Sequence, residues 1–443
     1  MTNIIRKKVT GALLYIGYNK IYNKMKEIEI ISNMNSRELK KYHEAKLKAL
    51  LKHSYQNVPY YNKVLYESGV VDSNLNVYLE NFHKIPILTK DILHREFENL
   101  KAKNLDEMKW EYNTSGGSSG EPARFIQDEN YKAWNIANKM YYKTIAGAQI
   151  GGRELRFWGS ERDILEGRED PKIVLRNKLY NRVELNMFKM RVDKFPEYLE
   201  FWNQYKPQWV EGYVHVMIEF AKYALENNIE VYPPKGILCT AGTLDEDMRQ
   251  TIEKAFKTRV YNRYGSREVG DIACEDNTKK GLRISVWNHK VEVLDKNLKP
   301  TSGMGDVYIT NLNNYAMPLI RYDIGDMAEK GKYWDYLKNV SGRITSIFKT
   351  RNGGFFDGCY FRTILSYKDW IKQFQIVQKD YEHIEYIFIP KDKNFVIPKE
   401  EKDEITKNVR KLLGDKCKVT FKLTNNIKNL DSGKYLYTKS EVK

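Results

Sequence analysis

The sequence predicts an α/β fold in two parts. A large N-terminal domain of layered sheets and helices occupies residues 1–342, opening with a helical segment over 1–70, and a small α+β domain occupies 343–443. Three observations predict it. Strand-length apolar runs alternate with helical periods between Arg153 and Asn262, the texture of layered sheets and helices. Beyond Gly281, Val291, Val293, Val307 and Ile309 lie in short alternating runs broken by Asp295-Lys296-Asn297 and Gly303-Met304-Gly305, which reads as antiparallel strands with tight turns. The last stretch, of roughly a hundred residues, reads as strand, helix, strand, helix, strand, within the size at which a domain folds alone.

Each element has its own signal. From Ser36 to about Ser68 the pattern is helical, with Leu39, Leu47, Leu50, Leu51 and Ser54 on one face and a break at Asn57-Val58-Pro59. Pro86 and Thr89 open a short helix running past His94 towards Phe97, and Asn130–Ile145 reads as another. Arg153–Trp158 is a strand, Phe195–Tyr205 and Val214–Asn227 are helices, and Ile237–Thr240 is a buried strand. A helix from about Leu244 to Phe256 and a strand at Arg259–Asn262 follow. In the last block a strand and a Gly353-Gly354 turn lead to a helix at Phe361–Phe374, a strand at Ile384–Ile389, a helix at Lys399–Leu413 and a strand at Val419–Leu423.

Composition excludes several classes of protein. With 42% hydrophobic and 30% charged residues in 443, the chain is globular rather than disordered. Its formal charge of +16 suits a polyanionic partner, yet the lysines are spread along the chain among acids. No RNP-like, zinc-finger or helix-turn-helix pattern appears, so no nucleic-acid partner is expected. Cys239, Cys274, Cys359 and Cys417 lie far apart without a C-x-x-C pair, which predicts reduced, buried thiols and no structural metal. No apolar run approaches the roughly 20 residues of a membrane span, so a cytoplasmic protein is expected. Near the start, Ile5, Val9, Leu13, Ile16 and Met25 recur at helical spacing beside Arg6, Lys7, Lys8, Lys20, Lys24 and Lys26. That segment reads as a helix docked on the domain core, with peripheral contact to the inner membrane face as the alternative.

The chemistry begins at Tyr112–Arg124, YNTSGGSSGEPAR. Gly116, Gly117 and Gly120 permit positive φ and close approach to a ligand, and Ser115, Ser118 and Ser119 add hydroxyl donors. A polyphosphate uses all of these. The loop is not a Walker motif, since Glu121-Pro122 follows Gly120 where Lys-Ser/Thr would stand. Downstream, Arg263–Gly270 (RYGSREVG) puts Tyr264 and Gly265 just after a strand, with the Glu268 carboxylate close behind. Such a turn suits an aromatic ring stacked on a base and a carboxylate on a phosphate-bridging metal. In Pro318–Asp326 (PLIRYDIGD), Asp326 sits in a Gly-Asp turn where a carboxylate accepts ribose hydroxyls. Arg343 supplies a guanidinium at the domain boundary, and Lys434 an ammonium on a glycine turn near the C-terminus.

As an ordered set these segments resemble the adenylate-forming superfamily, in particular its phenylacetate–coenzyme A ligase-like branch found with capsular polysaccharide genes (the CapK type). Ser115–Pro122 is similar to the family's phosphate loop, Cys239–Arg249 to its adenine-side segment and Asn262–Asp276 to its metal and base motif. Asn314–Asp326 is similar to the ribose motif, Ser341–Arg343 to the hinge entry and Ser432–Ser440 to the C-terminal lysine motif, while Leu50–Leu65 resembles the branch's N-terminal helix and proline break. The resemblance implies that Ser115, Ser118 and Ser119, with the Gly117 and Gly120 backbone, hold the ATP phosphates. It places Ala241 and Gly242 beside the adenine, Tyr264 stacked on it, Glu268 on Mg²⁺ and Asp326 on the ribose. Arg343 would contact the ribose or phosphate edge, and Lys434 would bridge the α-phosphate and the substrate carboxylate. Glu121, Ala123, Thr243, Thr345 and Ser346 depart from the family pattern, and Arg124 restores some of the missing positive charge.

The implied function is AMP-forming activation of a carboxylic acid, with release of pyrophosphate and transfer to a thiol, an amine or coenzyme A. The gene association of the family implies surface or capsular polysaccharide biosynthesis, and the small C-terminal domain is implied to act as a mobile lid. Two alternatives stand beside this reading: a coenzyme A ligase for an aryl or fatty acid, and a nonenzymatic nucleotide- or polyanion-binding protein. Trp158, Trp209 and Tyr213 are candidates for the wall of an acid-binding slot or for core.

Overall fold

In a computed structural model of the chain, the structure describes residues 19–114, 124–149, 151–159, 177–178, 180–187, 192–341, 347–351, 355–358, 361, 364–365, 368, 370–392, 394–427 and 437–442. Helices α1 (Asn19–Ser32), α2 (Ser36–Asn57) and α3 (Pro59–Glu67) come first. Asn35 starts α2 by accepting from the Arg37 and Glu38 amides, while the Glu38 carboxylate returns to the Asn35 amide. Pro59 closes α2, since it has no N–H to donate, and opens α3 in its first turn, where none is needed. Thr89 caps the short α4 (Lys90–Arg95). Strands β1 (Trp110–Thr114) and β2 (Arg124–Asp128) then pair antiparallel, Thr114 opposite Arg124, and lead into α5 (Glu129–Ile145). These two strands were not anticipated, because five-residue runs that mix polar and aromatic side chains carry little periodic signal.

An alternating stretch follows: β3 (Glu154–Trp158), β4 (Arg182–Asn186), α6 (Phe195–Tyr205), β5 (Trp209–Tyr213), α7 (Val214–Glu226), β6 (Ile237–Thr240) and α8 (Glu246–Phe256). Next come β7 (Val260–Ser266), β8 (Gly270–Glu275), β9 (Leu282–Ile284), β10 (His289–Leu294), β11 (Met304–Asn311), β12 (Tyr322–Lys330) and β13 (Tyr336–Ser341). The last elements are β14 (Ile347–Lys349), β15 (Phe355–Asp357), β16 (Ile371–Asp380), β17 (His383–Pro390), α9 (Lys399–Leu413), β18 (Lys418–Leu423) and β19 (Thr438–Ser440). Among the described residues no helix is long and apolar enough to cross a membrane.

The described chain gathers into two compact bodies. The first holds the residues up to Thr114, those from 124 to 149 and those from Tyr261 to 341. Its sheet is antiparallel throughout, in the order β10-β11-β12-β13-β9-β8-β7. Leu50, Leu51, Tyr61, Trp134, Trp287 and Leu319 share its core; burying each such aliphatic side chain is worth roughly 1.5–3 kcal/mol. Helix α5 is tied to the sheet through buried Asn138, whose amide donates to the Asp271 carbonyl (3.0 Å) and whose oxygen accepts from Ser285 (2.8 Å) and Trp287 (2.9 Å). Helix α1 buries Ile28 and Ile31 and packs Met25 on the same core, so this part of the basic N-terminal segment is docked. Lys24 and Lys46 lie over the Trp134 ring, at 4.5 and 3.8 Å from its centre. Residues 5–16 of that segment lie outside the described residues.

The second body holds Gly151–Val260 and the described residues after 346. Strands β6-β5-β3-β4 are parallel to one another, with Leu155, Phe157, Val210, Ile237 and Cys239 turned to a core built with Phe195, Trp202 and Phe220 from α6 and α7. The opposite face carries charge: the Arg156 guanidinium lies 3.2 Å from both Glu184 and buried Glu211, and Arg182 lies 2.8 Å from Glu154. The C-terminal block is a four-stranded sheet, β18-β17-β16-β19, with α9 burying Ile405 and Val409.

Here one expectation fails. Ile371–Phe374 opens a strand, β16, rather than ending a helix, and β16 pairs antiparallel with β17 and parallel with β19. Phe374, Ile376 and Gln378 alternate inward along it, so neighbouring strands override a pattern that also fits a helical period. The Gly353-Gly354 turn lies outside the described residues. Cys239, Cys274 and Cys417 are buried.

Candidate active site

Six of the sequence-predicted residues, Ala241, Gly242, Tyr264, Gly265, Glu268 and Asp326, fall in described parts of the molecule, and the hydrogen bond that joins Tyr264 to Asp326 is long-range. Tyr264 stands on β7, where the pairing with β8 slips between Tyr264 and Gly265. A bulge of this kind bends the strand and re-aims a side chain. Gly265 is required there, because an added Cβ would come 2.7 Å from the Gly270 carbonyl. Tyr264 is 9% exposed, and its phenol donates to Asp326 Oδ2 at 2.9 Å. Asp326 occupies an irregular part of β12: the register with β11 shifts across Asp306/Tyr308, and Gly325 takes φ +75. The Asp323 carboxylate accepts from the Gly325 amide at 2.9 Å and holds this kink.

Glu268 sits in the β7–β8 turn and is largely buried. Gln127 of β2 donates to the backbone carbonyls of Arg267 and Glu268, both at 3.2 Å, and accepts from Asn113 of β1 at 3.0 Å. Strands β1 and β2, between which residues 115–123 run in the chain, are therefore fastened to the turn that carries Glu268. Among the described residues no three His, Cys, Asp or Glu side chains stand together to cage a metal. Glu268 fits a different use, as the one or two protein carboxylates that suffice when phosphates supply the remaining Mg²⁺ ligands.

Sequence reasoning missed Asp128. It caps α5 through the Tyr131 amide (2.7 Å), and its other oxygen accepts from the amides of Tyr315 (2.6 Å) and Ala316 (3.1 Å). Asn314 adds bonds to the Ile126 carbonyl (2.7 Å) and the Met317 carbonyl (3.0 Å). Together they pin the start of the PLIRYDIGD segment to the end of β2. Burial pushes the Asp128 pKa up, and its three backbone donors oppose that shift. The available sign was the helix-start pattern of Asp128 before Glu129-Asn130-Tyr131, which reveals the cap but not its second set of partners.

In the other body, Ala241 and Gly242 follow β6 at the carboxyl end of the parallel sheet, the edge at which open α/β sheets bind ligands. Ala241 takes φ +56, and an added Cβ on Gly242 would lie 3.1 Å from the Val214 side chain. At the same edge the Trp158 and Tyr213 rings meet edge-on, 4.9 Å apart, with the Arg156 guanidinium 3.8 Å from the Trp158 ring centre. Trp209 is buried. Ser115, Gly117, Ser118, Ser119, Gly120, Arg343 and Lys434 lie outside the described residues.

Comparison with known proteins agrees with this architecture. The chain aligns with solved 2-hydroxyisobutyryl-CoA ligase structures at 17% identity. One, in complex with 2-HIB-AMP and CoA in the thioesterification state, gives a TM-score of 0.57 over 92% of this chain and 91% of that one. Another, in the postadenylation state with R3-HIB-AMP, gives 0.55 over 91% and 90%. The chain shares the fold of these ligases. Residues 348–441 match the family model described as the CapK C-terminal domain. Protein CapK of Staphylococcus aureus is 25% identical over 405 residues, covering 88% of this chain and 86% of that protein. These matches bear out the resemblance to the CapK-type branch of the superfamily.

Proposed function

We propose that this protein is an ATP-dependent carboxylate-activating ligase. One observation carries the reading: segments far apart in sequence, each resembling a nucleotide-binding motif, are hydrogen-bonded to one another, Tyr264 to Asp326 and the base of the glycine-loop hairpin to the Glu268 turn. In the first step an oxygen of the acid attacks the α-phosphorus of ATP. The bond to the bridging oxygen breaks, and pyrophosphate leaves with that electron pair. In the second, a thiol or amine attacks the acyl carbonyl, loses its proton and displaces AMP.

An anion attacking an anion needs cations at the developing five-coordinate phosphorus. Lys434 and Arg343 supply them in this reading, and Ser115, Ser118 and Ser119, with the Gly117 and Gly120 backbone, hold the leaving phosphates. Glu268 would hold Mg²⁺, which when bound neutralises charge shared between phosphate oxygens. Tyr264, Gly265, Ala241 and Gly242 serve the adenine, and Asp326 the ribose. In this reading the chain divides into residues 1–342 and 343–443, and the second part would act as a lid that carries Lys434 to the phosphate. The likeness to a ligase solved with CoA favours coenzyme A as acceptor, and the CapK relative favours a role in capsular polysaccharide biosynthesis.

The test is ATP–pyrophosphate exchange with a panel of carboxylic acids, with and without coenzyme A. Acid-dependent exchange is expected, falling about 100-fold or more in Lys434→Ala, as for loss of a well-placed transition-state charge. Absence of exchange with every acid, alongside steeply salt-dependent nucleic-acid binding, would replace this reading with the polyanion-binding one.

A further inference from the structure

Tyr264 and Asp326 are 62 positions apart, on strands that are not neighbours in the sheet, and each stands at an irregularity of its own strand. Regular pairing would project both side chains along the pleat. Instead, the slip at Tyr264/Gly265 and the kink at Gly325 bring a phenol and a carboxylate to 2.9 Å. Both are backbone distortions that glycine makes possible: Gly265 has no room for a Cβ, and Gly325 takes a φ that side chains disfavour. The Tyr264 ring is packed in the core cluster, so the position of its hydroxyl is fixed by burial.

We infer that the Tyr264 hydroxyl is a positioning group for the Asp326 carboxylate, and that through it Tyr264 sets how strictly the nucleotide sugar is read. This rests on the proposed nucleotide site and adds a role for the hydroxyl distinct from that of the ring. A carboxylate turns about its last bond with little preference, so a carboxylate that must meet a ribose diol gains from being held in one rotation. An ionised carboxylate has about four acceptor positions, so a single phenol orients it without using up its capacity. Without the hydroxyl, Asp326 still carries its charge but loses this hold on its rotation. Recognition of the sugar hydroxyls then weakens, while base stacking on the ring is retained.

The experiment measures binding of ATP and of 2′-deoxy-ATP to the full chain by calorimetry, for wild type, Tyr264→Phe, Asp326→Ala and the double variant. Tyr264→Phe keeps the ring, and its melting temperature verifies that the core is intact. We expect ATP affinity to fall about tenfold, as for loss of a hydrogen bond to a charged group, and the preference for ATP over 2′-deoxy-ATP to shrink in proportion. In the Asp326→Ala background the same substitution should change ATP affinity less than twofold, since the two groups act as a unit. A Tyr264→Phe protein that keeps the wild-type preference for ATP overturns the inference and leaves the nucleotide site standing. A wild type that binds neither nucleotide overturns the site itself.

Discussion

Replacing Asp128 by alanine tests the join between the glycine-loop hairpin and the Asp326 segment. The carboxylate is 4% exposed and accepts three backbone amides, from Tyr131, Tyr315 and Ala316. Hydrogen bonds to a charged group are worth about 1.5–3 kcal/mol each, and each amide left without a partner costs about 1–3 kcal/mol. The three bonds share one carboxylate and are not additive, and the cost of burying the charge offsets part of them. A net loss of about 3–5 kcal/mol is expected, comparable to breaking a buried ion pair. Urea denaturation followed by tryptophan fluorescence reads it as a fall in the first transition midpoint, and ATP affinity should fall with it. Asp128→Asn, with one carbonyl acceptor in place of two carboxylate oxygens, should lose less. Since burial raises the Asp128 pKa above its unfolded value, near 3.8, the folded state binds more protons in that window. Stability at this site therefore declines as pH rises through the raised value, and Asp128→Asn removes that slope. An Asp128→Ala protein within about 0.5 kcal/mol of wild type, the usual range of surface substitutions, would refute the clamp.

Two further outcomes follow from buried ionisable groups in the same body. His43 and His289 donate a ring N–H to the Val286 carbonyl (2.7 Å) and the Val269 carbonyl (2.8 Å), and burial lowers both pKa values to about 4. The unfolded chain takes up these protons first, so stability is lost as pH falls from about 6.5 to 4, by about 3 kcal/mol per histidine. Denaturation midpoints at neutral and acid pH should show this slope, and it should flatten in a His43→Gln/His289→Gln protein; an unchanged slope in that variant refutes the assignment. Arg321 is 1% exposed, sits at φ +53, pairs with Glu292 at 3.1 Å and donates to the His83 carbonyl (2.6 Å) and that of Ile85. Arg321→Ala strands a carboxylate and two carbonyls and should cost about 3–5 kcal/mol; a wild-type melting temperature would overturn that account.

Long amphipathic elements were legible in the sequence because their signals are local. The Ser36 helix, its break at Pro59 and the Phe195–Tyr205 helix stand where the apolar spacing puts them. Strands whose fate depends on neighbours were not. β4 and β5 carry Glu184, Arg182 and Glu211 on a sheet face where other charges balance them, so they do not read as buried apolar strands. The start of β16, Ile371–Phe374, reads as the end of a helix until β17 and β19 are known to flank it.

The site divides along the same line. The proposed binding turns rest on residue types at fixed short spacings, such as Tyr264 with Glu268 or Gly325 with Asp326, which the sequence displays by itself. What joins them is of another kind: Gln127 to the Glu268 carbonyl spans 141 positions, Asp128 to the Tyr315 amide 187, and Tyr264 to Asp326 62. Nothing in one chain's spacing encodes such pairs, because register and bulges set them. A one-residue change of register sends every side chain to the opposite face. The slips at Tyr264/Gly265 and across Asp306/Tyr308 therefore decide whether the tyrosine and the aspartate meet. Substitutions that regularise either strand should uncouple them without touching either side chain, so in the proposed site the sheet's irregularities matter as much as its functional groups.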